Sequence, residues 1–551
     1  MSRTCPFAVA AALCAAGCGP APLTSRTEPT GLPRPCAILS INDTYRIEES
    51  LDHTGSMARL RTLRVRLEKE HPDLLLLHAG DFLFPSFLSR QYKGEQMIDV
   101  MNHLDGAGDA FDPRLVVVTG NHELDEDDPR FLRERIRQSQ FRWLSSNIEF
   151  APGPGGHPVI PVERLAGDVL RRCGDYQVGV FGLTIDSARP RFVAGYRDPI
   201  STARERTRDL RERGAQIVVG LTHLDIATDE LLLRELGADG PDLLLGGHDH
   251  ARQSRTANGR SVFKADSDAH TANVITASVG EKGVRVEHAW VYLGPDEPAP
   301  DPEVAALTAK WLEDHDRLYC GEKLGLAPGC LAEKLRVTSV DLIAEELEIR
   351  RFETNVGDLV ADTALRVFEK QGAQIAVVNS GALRLNYDVA AGSQISRRQV
   401  EELFAYPMPL RLVEIDGATL QKMVNRSIEG WTGQGHFLQI AGFAFRHDPA
   451  AGKATSLTLL GPTPRRIRPD EKLRVVLNSF LLDPGKGQDG YRMIGPHDIV
   501  DDLGPDLRAG PDLKKLVLDA LARPGPALVS PRPVGRICNT QRPGPCLALP
   551  E

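Results

Sequence analysis

The stretch Leu115-Val116-Val117-Val118-Thr119-Gly120-Asn121-His122-Glu123 decides how this chain is read: a short apolar run breaks into a glycine, an amide and an imidazole. A buried strand that stops at polar, metal-competent side chains delivers them to the rim of a sheet, where open α/β folds keep their ligands. The same device recurs along the chain. Ile38 to Ile41 runs into Asn42-Asp43, Leu74 to Leu77 into Gly80-Asp81, Ile217 to Leu221 into Thr222-His223, and Leu243 to Leu245 into Gly246-Gly247-His248-Asp249-His250. Five apolar runs therefore end in Asp, Asp, Asn-His, His and His-x-His, a set of oxygen and nitrogen donors that two metal ions could share.

The chemistry explains the residue types. Two divalent cations about 3.5 to 4 Å apart need a ligand that can bridge them, and a carboxylate such as Asp81 suits that role. Asp43, Asn121, His223, His248 and His250 complete the shells with less added negative charge, which leaves the site attractive to an anionic ester. Glycines before Asp81, Asn121 and His248 let the backbone turn sharply beside the metals. Each piece alone is a weak signal, because a lone Gly-Asp is more often a turn and a lone strand-end His more often a structural residue. The ordered set is what points to a metal site.

Asp43, Gly80-Asp81, Gly120-Asn121-His122-Glu123, His223 and Gly247-His248-Asp249-His250 together resemble the calcineurin-like metallophosphoesterase superfamily. Taken with the second half, the chain from about Ala37 to about Leu521 resembles, more narrowly, the secreted 5'-nucleotidase and UDP-sugar hydrolase family. The resemblance implies an α/β fold: a four-layer αββα sandwich followed by a second α/β nucleotide-binding domain. It implies two divalent metal ions (Mn, Zn, Co or Mg) and a role for His122 at the phosphoryl oxygens, with Asp125 holding its ring. A carboxylate on one ring nitrogen raises the proton affinity of the other. The alternative for Asp125 is an ordinary first-turn helix carboxylate in Asp125-Glu126-Asp127-Asp128.

The second half carries its own matching stretches. Glu353-Thr354-Asn355-Val356-Gly357-Asp358-Leu359 resembles the entry motif of the nucleotide-binding domain, with a structural role. Asn379-Ser380-Gly381-Ala382-Leu383-Arg384 stands where the family has Asn-Gly-Gly-Gly-Ile-Arg, which makes Arg384 a contact to phosphate, whose oxygens suit a guanidinium fork. The resemblance makes Phe437 and Phe480 a pair of rings that hold a nucleobase, and Asp489, in Gly487-Gln488-Asp489-Gly490-Tyr491, a ribose-hydroxyl acceptor. Either Phe could instead be core, and Asp489 a turn residue. Pro484-Gly485-Lys486 looks like an insertion, and Tyr406-Pro407-Met408-Pro409 departs from the family's Pro-Phe-Gly-Asn.

One departure falls inside the metal motifs. The family usually has Asp-x-His first, whereas this chain has Asp43-Thr44-Tyr45. A phenol with a pKa near 10 is a poor ligand for an ordinary divalent ion. Metal one then keeps only Asp43, Asp81 and His250 plus water, or Tyr45 ligates a harder ion such as ferric iron, or metal one binds weakly or not at all. Ferric phosphatases of this superfamily carry their Tyr after Gly-Asp, where this chain has Phe82-Leu83-Phe84, which counts against iron.

Around these motifs the chain of 551 residues is long enough for two domains. A formal charge of -9 argues against a nucleic-acid polymer as partner and leaves a small nucleotide substrate. Residues 1–18 read as a signal peptide of bacterial lipoprotein type, Ala15-Ala16-Gly17-Cys18 ending a short apolar region. Export to the periplasm follows, with a possible lipid anchor at Cys18 to the outer membrane; ordinary cleavage nearby is the alternative. Residues 19–35 read as a Pro-rich tether, 36–293 as the metallophosphoesterase domain, 294–330 as a linker with a helix over Val304 to Tyr319, 331–540 as the substrate-binding domain and 541–551 as a tail. Helices are expected at Met57 to Glu70, Glu95 to Leu104, Val340 to Leu347, Leu359 to Phe368 and Asp512 to Ala522, and strands at Ile375 to Val378, Leu412 to Ile415 and Leu473 to Leu477. Beyond Cys5, Cys14 and Cys18 six cysteines remain. Short separations favour Cys320 with Cys330 and Cys538 with Cys546, and Cys36 with Cys173 follows by elimination, with free buried thiols as the alternative.

The function expected is an exported dimetal phosphohydrolase that removes the 5'-phosphate from nucleotides by attack of metal-generated hydroxide. The alternatives are a phosphodiesterase, a UDP-sugar or 2',3'-cyclic nucleotide hydrolase or a broad phosphatase, and a nucleotide-binding protein whose catalysis is weakened by Tyr45. Oligomeric state is not legible in the sequence.

Overall fold

The apolar runs form strands because each can bury both faces. Cys36–Ile41, Leu75–His78 and Leu115–Val118 lie parallel and adjacent in a seven-stranded sheet. Ile217–His223 and Leu243–Gly246 lie parallel and adjacent in a six-stranded sheet. This computed structural model describes residues 33–548 apart from 51–52, 154, 156–158, 161–162, 296–297, 405, 432, 485–486, 501–508, 526–533, 542–543 and 545. The signal segment with Cys18, most of the tether and part of the insertion at Pro484-Gly485-Lys486 lie outside the described residues.

Alternation along each strand builds four layers. Ile38, Leu75, Leu77, Val116 and Val118 meet Val178, Val180, Ile217, Val219 and Leu245 between the sheets, all fully buried. Their neighbours Leu39, Leu76 and Val117 face outward against the helices Met57–Glu70, Glu95–Asn102 and Pro302–Leu318. On the far side Phe181, Val218 and Leu244 pack beneath Pro199–Glu212 and Ile226–Leu236. The period of two along a strand thus gives one apolar face to the partner sheet and one to the helices, and the result is an αββα sandwich.

A second α/β unit follows. Its central sheet runs in the order Leu410–Asp416, Lys472–Asn478, Ile375–Asn379, Leu438–Ala441. Ala376, Val378, Leu412 and Val476 face the helices Asn355–Val367 and Leu513–Ala522, while Ile375, Val377, Val413 and Val475 face Gly417–Ser427. The two halves meet along a polar seam: Arg46 pairs with Glu402 at 3.0 Å, Arg398 reaches Glu48, and Arg90 donates to the carbonyl oxygens of Glu401 and Phe404.

The expected helix over Met57–Glu70 is present, with Ser56 accepting from Arg59 N–H at its start. The helix expected at Val340 to Leu347 is not. Leu342 pairs with Val389 in a two-way backbone bridge, Asp388 accepts the N–H groups of Ala344 and Glu345, and only Glu346–Ile349 turns helical. Apolar residues three and four apart imitate a helix here, but backbone pairing takes the hydrogen bonds. The three expected disulfides, Cys36–Cys173, Cys320–Cys330 and Cys538–Cys546, are formed. Among the described residues no helix is long and apolar enough to cross a membrane.

The sandwich closes tightly near its functional rim. Asn147 exchanges hydrogen bonds of 2.8 Å with the backbone of Thr184, and Gly182 N–H donates to Ser146 Oγ at 3.1 Å, so polar groups clip one sheet to the other. A Cβ on Gly182 would lie 2.7 Å from Leu144 Cβ and from Val118 Cγ2. Gly182→Ala is therefore expected to destabilise the protein by about 1 to 3 kcal/mol, read as a lower midpoint in chemical denaturation; an unchanged midpoint would show that the sheets can part without cost.

Candidate metal centre

Parallel strands end at one rim, and the residues just past their C-terminal ends converge there. The first sheet supplies Asp43, Asp81 and Asn121; the second supplies His223, His248 and His250. Asp43, Asp81, His248 and His250 adopt φ values of 51°, 59°, 79° and 59°, in the left-handed region that costs energy for residues with a Cβ. Four such residues at one rim mark a backbone bent to aim side chains. Gly120 allows the closest approach, since a Cβ there would fall 2.1 Å from Asp81 Oδ1.

Oxygen and nitrogen atoms of Asp43, Asp81 and His250 lie within 4.8 Å of one another, close enough to share one cation. His223 Nε2 is 3.0 Å from Asp81 Oδ2 and 4.0 Å from Asp43 Oδ1, and the His248 ring stands 5.3 Å from the His223 ring. Neighbours hold these groups in place. Asp43 Oδ2 accepts from Asn42 Nδ2 at 2.8 Å and from His248 N–H at 2.9 Å, and Asp81 Oδ1 accepts from His122 N–H at 2.8 Å. The Ala79 carbonyl lies 2.7 Å from His223 Nδ1 and fixes that ring.

One buried atom tests whether this set fits metal ions: among the described residues Asn121 Oδ1 has no hydrogen-bond partner. An amide oxygen left without a donor beside two buried carboxylates and an imidazole is costly as it stands and is suited to a divalent cation. Electrostatics agree. Burial alone would lower the His223 and His250 rings, but Asp81 raises the first to about 9, and Glu346 and Asp43 raise the second to about 10. His248, buried and next to the His223 ring, is instead pushed down to about 3.

Tyr45 reaches into the cluster. Its Oη lies 2.7 Å from His250 Nε2 and 3.4 Å from both Asp43 Oδ1 and Asp81 Oδ2. Burial, then the Asp81 and Asp43 charges, hold its pKa well above the usual phenol range, so Tyr45 is a neutral hydroxyl here. His122 faces the cluster from the other side: Nε2 is 4.0 Å from Asp81 Oδ2, and Nδ1 is 2.9 Å from Asp125 Oδ2. Burial would lower this ring; Asp125 and Asp81 outweigh it and hold its pKa above the ordinary value.

The candidate substrate residues gather in the second half. Asn379 Nδ2 donates to Asp489 Oδ2 at 2.7 Å and Asn379 Oδ1 accepts from Asn478 Nδ2 at 2.7 Å, while Ser380 N–H donates to the Phe437 carbonyl, so the matching stretches meet. Arg384 donates through Nε to the Gly381 carbonyl and comes within 3.7 Å of Glu346. Phe480 is half-buried. Phe437 is 1% exposed within the core and presents no open ring face.

Two residues that sequence reasoning missed matter to the site. Glu123 accepts four backbone N–H groups, from Asp81, Phe82, Leu83 and Gly120, at 2.7 to 3.0 Å, and so fixes both metal-side turns. Its place directly after His122 was the available signal. Glu346 bonds His250 from the other half of the chain, and nothing local in the sequence announces that contact.

Residues 37–252 match the calcineurin-like phosphoesterase family and residues 336–495 the 5'-nucleotidase C-terminal domain. The chain is 24% identical over 529 residues to a 5'-nucleotidase of Bos taurus, covering 86% of this chain and 87% of that one. It is 23% identical over 514 residues to the trifunctional nucleotide phosphoesterase of Bacillus subtilis (strain 168), covering 85% of this chain and 33% of that one. The solved 5'-nucleotidase precursor of Thermus thermophilus superposes with a TM-score of 0.74 at 20% identity, covering 92% of this chain and 100% of that one.

The raised His223 and His250 values set a sign for metal binding. Below about 9 the His223 ring carries a proton that a cation must displace. Apparent Mn²⁺ affinity is therefore expected to rise between about pH 6 and about pH 9, with protons released on binding in weakly buffered solution; a pH-independent affinity would contradict this ligand set.

Proposed function

The chain belongs to the calcineurin-like phosphoesterases that carry a 5'-nucleotidase C-terminal domain, and on that premise we propose that it removes the 5'-phosphate from nucleotides outside the cytoplasm. The observation that carries this reading is the meeting of the two halves at the rim. Arg384, from the second half, lines one cavity with Tyr45 and comes within 3.7 Å of Glu346, whose carboxylate bonds His250. A guanidinium fork beside a metal-suited cluster would give phosphoryl oxygens both hydrogen-bond donors and cations.

Divalent ions held by Asp43, Asp81, Asn121, His223, His248 and His250 would polarise phosphoryl oxygens and make water a nucleophile at neutral pH. The chain's own residues do the rest. His122, with Nδ1 held by Asp125, turns Nε2 toward the reacting group and hydrogen-bonds the oxygen on which charge develops, serving as acid to the leaving group. Arg384 orients the phosphate, Asp489 takes a ribose hydroxyl, and the half-buried Phe480 offers the ring on which a base stacks. Phe437 would support that ring from within the core.

Tyr45 lowers the count of good ligands for one ion, and as a neutral phenol it acts as a hydrogen-bonding group among Asp43, Asp81 and His250. That reading leaves Asp43, Asp81 and His250 to hold this ion with water, and iron is disfavoured because Phe82-Leu83-Phe84 stand where the ferric phosphatases of this superfamily carry their Tyr. Three disulfides support an oxidising compartment. The signal-like segment ending at Cys18 supports lipid attachment.

The test is hydrolysis of AMP, UDP-glucose, 2',3'-cyclic AMP and p-nitrophenyl phosphate under Mn, Zn, Co and Mg. AMP is expected to be the best substrate, read as phosphate release; preference for UDP-glucose or 2',3'-cyclic AMP, read as the nucleoside monophosphate formed, selects a phosphodiesterase or UDP-sugar hydrolase, and no hydrolysis of any of them rejects the phosphohydrolase reading. His122→Ala should cut kcat by about 10² to 10⁴ with metal content unchanged. Tyr45→His should tighten one of two metal sites; turnover seen only in that variant would instead favour a nucleotide-binding protein.

A further inference from the structure

His250 belongs to the calcineurin-like half, yet the group that fixes its ring comes from the other half. Glu346 Oε2 lies 2.6 Å from His250 Nδ1, with the Glu346 side chain 4% exposed and that of His250 6% exposed. The ring is therefore held from both ends. Its Nε2 faces Asp43 Oδ1 at 3.4 Å and Tyr45 Oη at 2.7 Å.

The other oxygen of the same carboxylate faces the second half. Glu346 Oε1 is 2.6 Å from Arg350 and 3.7 Å from Arg384. One buried carboxylate thus touches a candidate metal ligand on one side and the candidate phosphate-binding arginine on the other. Arg350 and Arg384, from its own half, offset the cost of burying it, whereas its contact with His250 spans the two halves and exists only where they meet.

We propose that Glu346 is a positioning residue through which the C-terminal half completes the metal centre, aiming His250 Nε2 at the ion nearest Asp43. This rests on the reading of His250 as a ligand. A ligating imidazole whose other nitrogen loses its carboxylate must be ordered by the metal itself, which lowers affinity by about 10- to 100-fold. The coupling is reciprocal: an ion bound at His250 favours the closed arrangement of the halves, and closure strengthens that ion's binding. Arg384 shares the carboxylate, so the same contact links phosphate capture to metal retention.

The experiment is equilibrium Mn²⁺ titration of the full chain, as wild type and as Glu346→Ala, Glu346→Gln and His250→Ala, with the thermal transition recorded for each. Glu346→Ala is expected to weaken one site by about 10- to 100-fold and leave the other unchanged, and Glu346→Gln, which keeps an acceptor oxygen but not the charge, should fall between it and wild type. His250→Ala should lose that same site. Wild-type affinity at both sites in Glu346→Ala, alongside a site lost in His250→Ala, overturns the proposal and leaves the metal reading intact. Two wild-type sites in His250→Ala overturn the ligand reading itself. If Glu346→Ala does not fold, Glu346→Gln decides: a selective loss at one site supports the proposal, and unchanged binding rejects it.

Discussion

Two carboxylates buried side by side, Asp43 and Asp81, set the terms for everything around them. Each is at most 1% exposed, and among the described residues neither forms an ion pair with a lysine or arginine. Negative charge held this way is tolerated only with compensating positive charge close by. Imidazoles from the second sheet approach both, backbone N–H groups of His122 and His248 point at them, and the donor set suits a divalent cation. The left-handed turns, the glycine at position 120 and the four-donor grip of Glu123 hold that arrangement against its own repulsion.

Much of this was legible because strand ends are local. The run Leu115–Val118 ends where its apolar residues end, and the residue types past it are visible without any tertiary knowledge. The αββα layering followed from the family likeness, and the cysteine pairs from separation and elimination. Contacts between distant segments were not legible. Glu346 meets His250 across a separation of 96 residues, and Arg46 meets Glu402 across 356; no periodicity encodes either. The segment Val340 to Leu347 misled for a related reason, since its spacing suits a helix but its hydrogen-bond partners, Asp388 and Val389, lie in a loop far along the chain.

Motif resemblance also has a physical limit. It names a residue without naming the face it shows. Phe437 stands in a stretch that matches the family, yet its ring is enclosed by the core of the second unit, while Phe480 retains accessible surface. Tyr45 shows the reverse: a residue that breaks the pattern nevertheless occupies the middle of the site, where its hydroxyl reaches three of the groups that the pattern would assign to one ion.

The candidate ligands are divided between the two sheets, three from each, and meet only where the sheets meet. Any slippage of one layer over the other would pull the ligand set apart, so bound ions would act as rivets across the sandwich. The folding equilibrium would then shift with free metal concentration by mass action. In surroundings poor in metal, the protein would lose lifetime as well as turnover, and metal supply would govern how many copies persist.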